Sequence, residues 1–182
     1  DIRSNRNHIY STLGRYFTAT DQAHLLNRSV LTNDDKRLIG DSIYYDRISG
    51  FGEAFDRVEM DDFGGKTRLT GDYIYYNELA DSAYATRRAV AIDYSQGDSM
   101  FIHGDTLRLL SRYPDTDSVY RIVQAYRKVR IYREDVQAVC DSLVFNSLDS
   151  CMTMFFDPVV WNGPQQVLGE VIRVYLNDST VE

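Results

Sequence analysis

The string GDSIYYD at residues 40–46 decides the fold, because variants of it recur along this chain of 182 residues. The variants are NHIYSTL from Asn7, GDYIYYN from Gly71, GDTLRLL from Gly104, CDSLVFN from Cys140 and GEVIRVY from Gly169. Recurrence of one string predicts a protein built from repeated structural units. The spacing between the copies is irregular, which favours hairpins with loops of different length over a regular solenoid.

Within the copies, every second side chain is apolar. The third residue after the glycine or cysteine is Ile43, Ile74, Leu107, Leu143 or Ile172, and the fifth is Tyr45, Tyr76, Leu109, Phe145 or Val174. The residues between these positions are of mixed types. Period two with one constant apolar face is typical of a strand that packs one side on a core. We therefore expect each copy to form the first strand of a two-strand unit.

A second recurring string follows a turn rich in Asp, Asn, Ser and Gly, the residues that turns favour. Its copies are ATDQAHL from Ala19, AFDRVEM from Ala54, ATRRAVA from Ala85, AYRKVRI from Ala125 and FFDPVVW from Phe155. The third residue shares the parity of the apolar positions but is charged: Asp21, Asp56, Arg87, Arg127 or Asp157. An unpaired charge on a core face is costly, so we predict a β-bulge there that turns the charge outward.

These strings predict six first strands and five second strands, and no stretch has the period of an amphipathic helix over three turns. We expect an all-β, open and twisted antiparallel sheet in one domain spanning residues 1–182. The last unit has a first strand but no second one. We therefore expect the natural chain to continue, and we expect an exposed sheet edge that invites pairing with another chain.

Composition excludes several classes of protein. The net charge of −7 excludes the overall basic footprint of a duplex-binding protein, so we expect no nucleic-acid partner. The sequence contains no run of 18 apolar residues, so it predicts no membrane-spanning helix. The chain opens with DIRSNRNHIY, which contains no apolar stretch. We expect any secretion signal to have been removed or to lie outside these residues.

The two cysteines, Cys140 and Cys151, flank a predicted turn at residues 146–149. Antiparallel pairing across that turn places Cys140 opposite Phe155 and not opposite Cys151. This register favours two partly buried free thiols over a disulfide, which is the alternative interpretation.

The paired strings resemble the OstA/LptA family of periplasmic lipopolysaccharide-transport proteins, in particular the OstA-like proteins of Bacteroidetes-type Gram-negative bacteria. The matching residues are 43–46 with Val58, 74–77 with Ala89 and Val90, and 143–146 with Val159. The resemblance extends over about residues 7–176, and its specificity lies in the recurrence of a short motif. The chain departs from the family pattern at the kinks, where Asp or Arg replaces a frequent Gly-Asn pair, and in its high tyrosine content.

This resemblance implies an open, twisted antiparallel β-jelly roll whose trough has an apolar interior. It implies that the trough holds lipid A acyl chains and that the molecules join edge to edge into a periplasmic bridge. The implied partners are lipopolysaccharide or a related lipid, other envelope transport components and further copies of the same chain. The implied location is the periplasm, with an association with the outer membrane as a further expectation.

The candidate lipid-binding residues are the inward apolar side chains of the first strands. They are Ile43, Tyr45, Ile74, Tyr76, Leu107, Leu109, Leu143 and Phe145. The alternative interpretation is that these side chains pack on one another as a closed core. Arg127, Lys128 and Arg130 are candidates for contact with a phosphorylated headgroup, because guanidinium and ammonium groups bind phosphate. The alternative is a solvated strand face paired with acidic neighbours.

We expect no catalytic residue, no metal and no cofactor. The three histidines, His8, His24 and His103, lack the spacing of metal ligands. The GD pairs lack the calcium-loop pattern, and no carboxylate pair recurs on one inner face as a glycosidase would need. The leading hypothesis is a lipopolysaccharide-transport or outer-membrane assembly module. The alternative is a structural or adhesive β-repeat scaffold that associates through strand edges and binds no lipid.

Overall fold

A computed structural model describes residues 2–3, 8–32, 35–95, 97–112 and 119–176. Within these residues the regular secondary structure consists of fifteen β-strands. They are β1 (Ile2–Arg3), β2 (His8–Tyr10), β3 (Leu13–Phe17), β4 (Gln22–Thr32), β5 (Lys36–Asp46), β6 (Phe51–Asp62), β7 (Thr67–Asn77), β8 (Ser82–Asp93), β9 (Met100–Arg112), β10 (Tyr120–Tyr132), β11 (Val136–Asn146), β12 (Cys151–Phe155), β13 (Val159–Asn162), β14 (Gln165–Leu168) and β15 (Val171–Tyr175). No helix long and apolar enough to cross a membrane occurs in the described part of the chain.

All these strands belong to one sheet, in which neighbours pair antiparallel. The order is β1-β2-β4-β5-β6-β7-β8-β9-β10-β11-β12-β15, while β3 pairs with β4, and β13 pairs with β11 and β14. Most neighbours in the sheet are also neighbours in the chain, so the connections are short hairpins. The predicted fold class, an open antiparallel all-β sheet, is confirmed.

The repeated strings alternate along this sheet as predicted. Strands β5, β7, β9 and β11 are first strands, and β4, β6, β8 and β10 are second strands. The outer copies are each broken in two. Strands β2 and β3 both pair with β4, strands β12 and β13 both pair with β11, and strands β15 and β14 pair with β12 and β13 respectively. Counting each broken pair once gives the predicted six first and five second strands in the described residues, and leaves β1, a short additional strand that pairs with β2.

The predicted bulges lie at the charged positions of the second strands. In β6 the pairing with β7 passes from Phe55 opposite Tyr73 to Val58 opposite Gly71, so two residues of β6 face one of β7. The two bulged residues have positive φ angles of 58° and 50° and are exposed. The bulges in this part of the sheet are Asp56–Arg57, Arg87–Arg88 and Arg127–Lys128. The bulge turns the charges out, which confirms the prediction for these three copies.

Two charged pairs link the bulges to the first strands. Arg57 donates hydrogen bonds from Nε and Nη2 to Asp41 at 2.9 and 3.0 Å, and Arg88 binds Asp72 in the same way at 2.9 and 2.6 Å. Both aspartates are the second residue of a recurring GD pair. The hydrogen bonds from Arg88 hold the pKa of the Asp72 carboxyl below its usual range. The charges of the two recurring strings therefore neutralise each other between the first and second strands of the same unit.

One of the predicted kinks is misplaced. Asp21 has a positive φ of 54° but lies in the turn before β4, and that strand bulges at Asn27 instead. The seven-residue string from Ala19 is therefore six residues out of register, because its apolar spacing matched by chance. In the last copy the bulge comprises Phe156 and the predicted Asp157, which is exposed, although the string from Phe155 begins one residue late. Met154, which is buried, takes the position of Ala54 in that copy.

Glycine in the first strands is explained by the bulge of the next strand. A Cβ on Gly71 would lie 3.0 Å from the carbonyl oxygen of Thr86, and one on Gly104 would lie 3.3 Å from that of Tyr126. Both contacts are tighter than ordinary packing. Cys140 occupies the same position in β11, where the neighbouring strand is interrupted between Phe155 and Val159. That interruption coincides with a copy that carries a side chain at this position.

The two cysteines are buried free thiols. Cys151 pairs with Asn146, six residues along β11 from Cys140, so the thiols are separated by most of a strand. The register is two residues from the predicted one, since Phe155 faces Ser142. The prediction of free thiols is nevertheless correct. Burial raises the pKa of Cys140 to about 11, which keeps its thiol protonated near neutral pH.

The high tyrosine content builds an aromatic row on the outer face of the sheet. Phe17, His24, Tyr44, Phe51 and Tyr75 form a chain of ring contacts with centroid distances between 4.9 and 5.8 Å. The rings lie on successive strands and meet at tilted or edge-on angles. Cross-strand aromatic pairs of this kind stabilise a sheet whose outer face has no covering layer.

The core receives side chains from both sides of each bulge. In β6, Ala54 before the bulge and Val58 after it are 0% and 1% exposed. The same holds in β8 for Ala85 and Ala89, which are both fully buried. A strand whose two halves bury the same apolar face must bend at the bulge. The line of bulges is therefore the fold line of the sheet.

Candidate functional site in the sheet interior

The two halves of the folded sheet face each other across an interior trough. Lys36 at the start of β5 and Tyr76 near the end of β7 lie on opposite sides of their fold lines, yet Lys36 Nζ is 3.0 Å from the Tyr76 hydroxyl. We call the line of bulges the base of the trough, and the gap between the two rows of hairpin turns its mouth. The predicted inward residues point into this trough from one half of the sheet. This half contains the C-terminal parts of β5, β7, β9 and β11.

Those predicted residues divide into two groups by depth. Ile43, Ile74, Leu107 and Leu143, next to the base, are each at most 1% exposed. Phe145 is also buried, whereas Tyr45, Tyr76 and Leu109 are only partly buried and pack against the core from above. The base is thus closed by its own side chains. The accessible interior lies nearer the mouth, around Tyr45, Tyr76 and Leu109. These residues follow the fully buried ones by two positions in each strand.

An open apolar cleft lies at the end of the trough formed by β2, β4, β5 and β6. We call it the N-terminal cleft; its empty volume, including solvent at its opening, is about 650 Å³. Apolar walls are formed by Ile9, Leu31, Leu38, Tyr45, Gly52, Met60 and Tyr76, and polar groups by His8, Thr32, Lys36, Arg37 and Glu78. Apolar walls with a few polar groups at the rim suit an amphiphile, with its chain inside and its polar part at the opening.

A second cleft continues the interior toward the middle of the trough. This central cleft has an empty volume of about 380 Å³ and shares Lys36, Met60 and Tyr76 with the first. Leu109 lies in its lining, beside a larger polar set that includes Asp62, Asp81 and Arg121. The polarity of the interior therefore rises from the N-terminal cleft toward the centre.

Two ion pairs cross the mouth within the described residues. Lys36 Nζ donates to Asp81 Oδ1 at 2.7 Å, and Arg121 Nη2 donates to Asp62 Oδ2 at 3.0 Å. We call these pairs the mouth bridges. Each joins residues from opposite halves of the sheet, and the partners are separated by 45 and 59 positions in the chain. Gly65 fits the second bridge closely, since a Cβ there would lie 2.5 Å from Arg121 Nη2.

The polar groups of the clefts are held in defined ionisation states. Burial lowers the pKa of Lys36, but its hydrogen bonds to Asp81 and Tyr76 outweigh burial and raise the pKa overall. Burial and a 2.9 Å hydrogen bond to Glu78 raise the pKa of Tyr45. At neutral pH the cleft therefore presents an ammonium group and a neutral hydroxyl, both already paired with carboxylates.

The wall that carries the N-terminal cleft is stiffened from outside by a buried carboxylate. Asp61, whose side chain is 1% exposed, accepts hydrogen bonds from Arg37 at 2.7 and 2.9 Å and from Arg68 at 2.6 Å. These three residues lie on neighbouring strands, so the cluster fixes three strands of this wall together. A buried carboxylate that is fully paired in this way is a structural element.

The predicted headgroup residues lie away from both clefts. Arg127 and Lys128 form the bulge of β10, on the outer side of the base, and Arg130 follows them on an exposed face. The linings of the N-terminal and central clefts contain none of the three. Lys36 and Arg121 bring their charged groups to the clefts, whereas Arg37 lines the N-terminal cleft but directs its guanidinium to Asp61 on the outer side of the wall.

Several residues of the N-terminal cleft could not be predicted from the repeated strings. Met60 was recognisable, because it occupies the seventh, apolar position of a second string. Leu38 lies two residues before Gly40, outside the quoted repeat, and Leu31 belongs to the copy whose register is wrong. In the described residues no group of three or more His, Cys, Asp or Glu side chains is arranged to hold a metal ion.

The fold is similar to that of LptH from Pseudomonas aeruginosa, the LptA-homologous periplasmic component of the conserved lipopolysaccharide transport device. The two structures superpose with a TM-score of 0.51 at 16% sequence identity, over 78% of this chain and 95% of LptH. This similarity establishes an LptA-like fold. No protein-family model matches the sequence, and no curated protein sequence matches it.

Proposed function

We propose that this chain is a periplasmic lipid-transport or outer-membrane assembly module that binds the acyl chains of lipopolysaccharide or a related lipid. The observation that carries the proposal is the apolar N-terminal cleft, which opens from the interior of a fold shared with a lipopolysaccharide-transport component. An acyl chain gains about 0.8 kcal/mol for each buried methylene, so a cleft of this kind can hold several carbons of a chain.

In this proposal the partly buried residues of the first strands contact the lipid, and the fully buried ones form the floor. Tyr45, Tyr76 and Leu109 are the contact residues, with Leu38 and Met60 from the opposite half. Ile43, Ile74, Leu107, Leu143 and Phe145 support them from the base. The proposed partners are lipopolysaccharide or a related lipid, other envelope transport components and further copies of the chain joined at sheet edges. No catalytic step is proposed.

Lipid extraction from purified protein, followed by mass spectrometry, tests the proposal. We expect a phosphorylated multi-acyl lipid to co-purify with the natural chain. Met60→Trp should fill the N-terminal cleft and reduce the bound lipid at least fivefold. Val139→Trp, an addition of similar size on the outer face, is the matched control and should leave the lipid unchanged.

The opposite result would be protein free of lipid, with no crosslink from added lipopolysaccharide to a photoreactive residue at Tyr76 or Leu109. That result would favour the second candidate, a β-repeat scaffold that binds no lipid. The closed base and the mouth bridges favour the scaffold, because both hold the two halves together without a ligand.

A further inference from the structure

One lysine stands at the boundary between the two clefts of the interior. Lys36, Met60 and Tyr76 line both the N-terminal cleft and the central cleft. Lys36 and Met60 belong to one half of the sheet, and Tyr76 belongs to the other. Because Lys36 Nζ is 3.0 Å from the Tyr76 hydroxyl, a direct contact joins the two halves where the clefts meet.

Three interactions hold the Lys36 side chain at this boundary. Its ammonium group donates hydrogen bonds to the Tyr76 hydroxyl and, at 2.7 Å, to Asp81 Oδ1. It also lies 5.1 Å from the centroid of the Tyr76 ring, within the range of a cation–π contact. The side chains of Lys36 and Asp81 are only 26 and 25% exposed, so water weakens their ion pair less than it would on an open surface. These contacts favour one position of the lysine, between the two clefts.

The linings on the two sides of Lys36 differ in polarity. On the N-terminal side, four adjacent strands each contribute one apolar side chain to one wall of the cleft. They are Ile9 of β2, Leu31 of β4, Leu38 of β5 and Met60 of β6. Four adjacent strands span about 14 Å, which sets the length of this apolar wall. On the other side of Lys36 the lining contains the charged side chains of Asp62, Asp81 and Arg121.

We propose that Lys36 limits the length of the acyl chain that the N-terminal cleft binds. A chain lying along the apolar wall would reach the ammonium group at the boundary. A further methylene would then have to displace Lys36 from Tyr76 or desolvate the charged groups of the central cleft, and either cost offsets the gain from burying that methylene. A second chain of the same lipid would occupy the central cleft separately, where Leu109 lies.

Lys36 is therefore a specificity-determining residue of the proposed lipid site, and this inference rests on the proposed function. Alkyl maltosides with chains from octyl to hexadecyl test it, because their neutral headgroup forms no ion pair with Lys36. Their affinity is measured by displacement of a fluorescent fatty acid. In the natural chain we expect affinity to rise about fourfold for each added methylene while the cleft fills, and to stop rising at one chain length within the series.

Lys36→Met replaces the ammonium group with an apolar end on a side chain of similar length. The chain-length limit should then move to longer alkyl groups, so that the longest maltosides bind about tenfold more tightly than they bind the natural chain. Lys36→Arg keeps a cation at the boundary and should keep the natural limit. Thermal unfolding checks that each variant is folded before its binding is measured.

Arg121→Met is the matched control for the loss of a mouth bridge. It breaks the bridge to Asp62, but of the two clefts Arg121 lines only the central one, so the limit should stay at the natural chain length. An equal shift of the limit in Arg121→Met and Lys36→Met would assign the effect to a looser mouth and overturn the proposal.

Two further outcomes would also overturn it. One is an affinity that rises through the whole series in the natural chain, and the other is a limit that Lys36→Met leaves unchanged. Either result contradicts the role of Lys36 alone, because the maltosides would still bind. No binding at any chain length, with protein that purifies free of lipid, would contradict the proposed function and this inference with it.

Discussion

The base of the trough and the N-terminal cleft are made from neighbouring positions of the same repeated strand, yet the base is closed and the cleft is open. Ile43 and Ile74 are 1% exposed, whereas Tyr45 and Tyr76, two residues further from the bulge, line the cleft. The two halves of the sheet diverge with distance from the fold line. An apolar position in this repeat is therefore core or binding wall according to its distance from the bulge.

The largest expected effect comes from removing a side chain at the base. Leu143→Ala should lower the free energy of unfolding by about 3–5 kcal/mol, because Leu143 is fully buried and its neighbours cannot close the cavity. Leu109→Ala, two strands away and nearer the mouth, should cost about 1–2 kcal/mol, since water already reaches that position. Urea denaturation measures both. Equal losses would show that the two levels of the trough are packed alike.

Two glycines, Gly71 at the base and Gly52 in the cleft, allow a second comparison of the two regions. Gly71→Ala at the base should destabilise the fold by about 1–3 kcal/mol, because its Cβ would press on the Thr86 carbonyl oxygen at 3.0 Å. Gly52→Ala in the cleft should change stability by less than about 0.5 kcal/mol, since its nearest contacts would be an ordinary 3.5 Å. The two variants are compared by thermal unfolding. A larger loss of stability for Gly52→Ala than for Gly71→Ala would contradict the conclusion that neighbouring strands approach most closely at the base.

The mouth bridges should contribute less. Lys36→Met should cost about 0.5–1 kcal/mol, the usual range for a partly exposed ion pair. The pKa of Lys36 is raised in the folded chain, so its contribution is fully present below about pH 10.4 and is lost as pH rises further. The stability difference between the natural chain and the variant should therefore be constant from pH 6 to 9 and shrink above that.

Lys66→Met, in the exposed turn between β6 and β7, is the control for the Lys36→Met variant. It removes the same charge without removing a mouth bridge and should leave stability unchanged across that pH range. A Lys36→Met difference that grows with pH would mean that the bridge is not the source of the effect.

The smallest effect is expected on the outer side of the base. Arg88→Gln removes the partner of Asp72, so the pKa of that carboxyl should rise toward its ordinary value. Because the pKa is depressed in the folded chain, this pair helps stability above about pH 3.9 and stops helping as pH falls below it. A carboxyl titration by NMR should show the shift with little change in the melting temperature. An unchanged titration would indicate that the pair is not formed in solution.

The sequence predicted the repeat, the strand alternation and four of the bulges, because a period of two can be read directly from the residues. Ile43, Ile74, Leu107 and Leu143 were all correctly placed inward. The errors at Asp21 and Phe155 have one cause. A short apolar string fits more than one register, and only cross-strand pairing selects among them.

The division of the interior into closed base and open cleft could not be predicted from the pattern. Alternation gives the face of a strand, but it does not give the distance to the opposite half of the sheet. The contact between Lys36 and Asp81 depends on the angle at the bulge, and nothing local to either residue indicates the other.

An NMR titration of the protein labelled with ¹³C at the methionine methyl groups tests whether the trough is closed at its base and open to an acyl chain at the N-terminal cleft. Met60 lines the cleft and Met154 lies fully buried at the base, so the two methyl groups report on the two regions. With added lipopolysaccharide, we predict a large change in the chemical shift of the Met60 methyl group and none for that of Met154. No shift at Met60, or equal shifts at both, would contradict it.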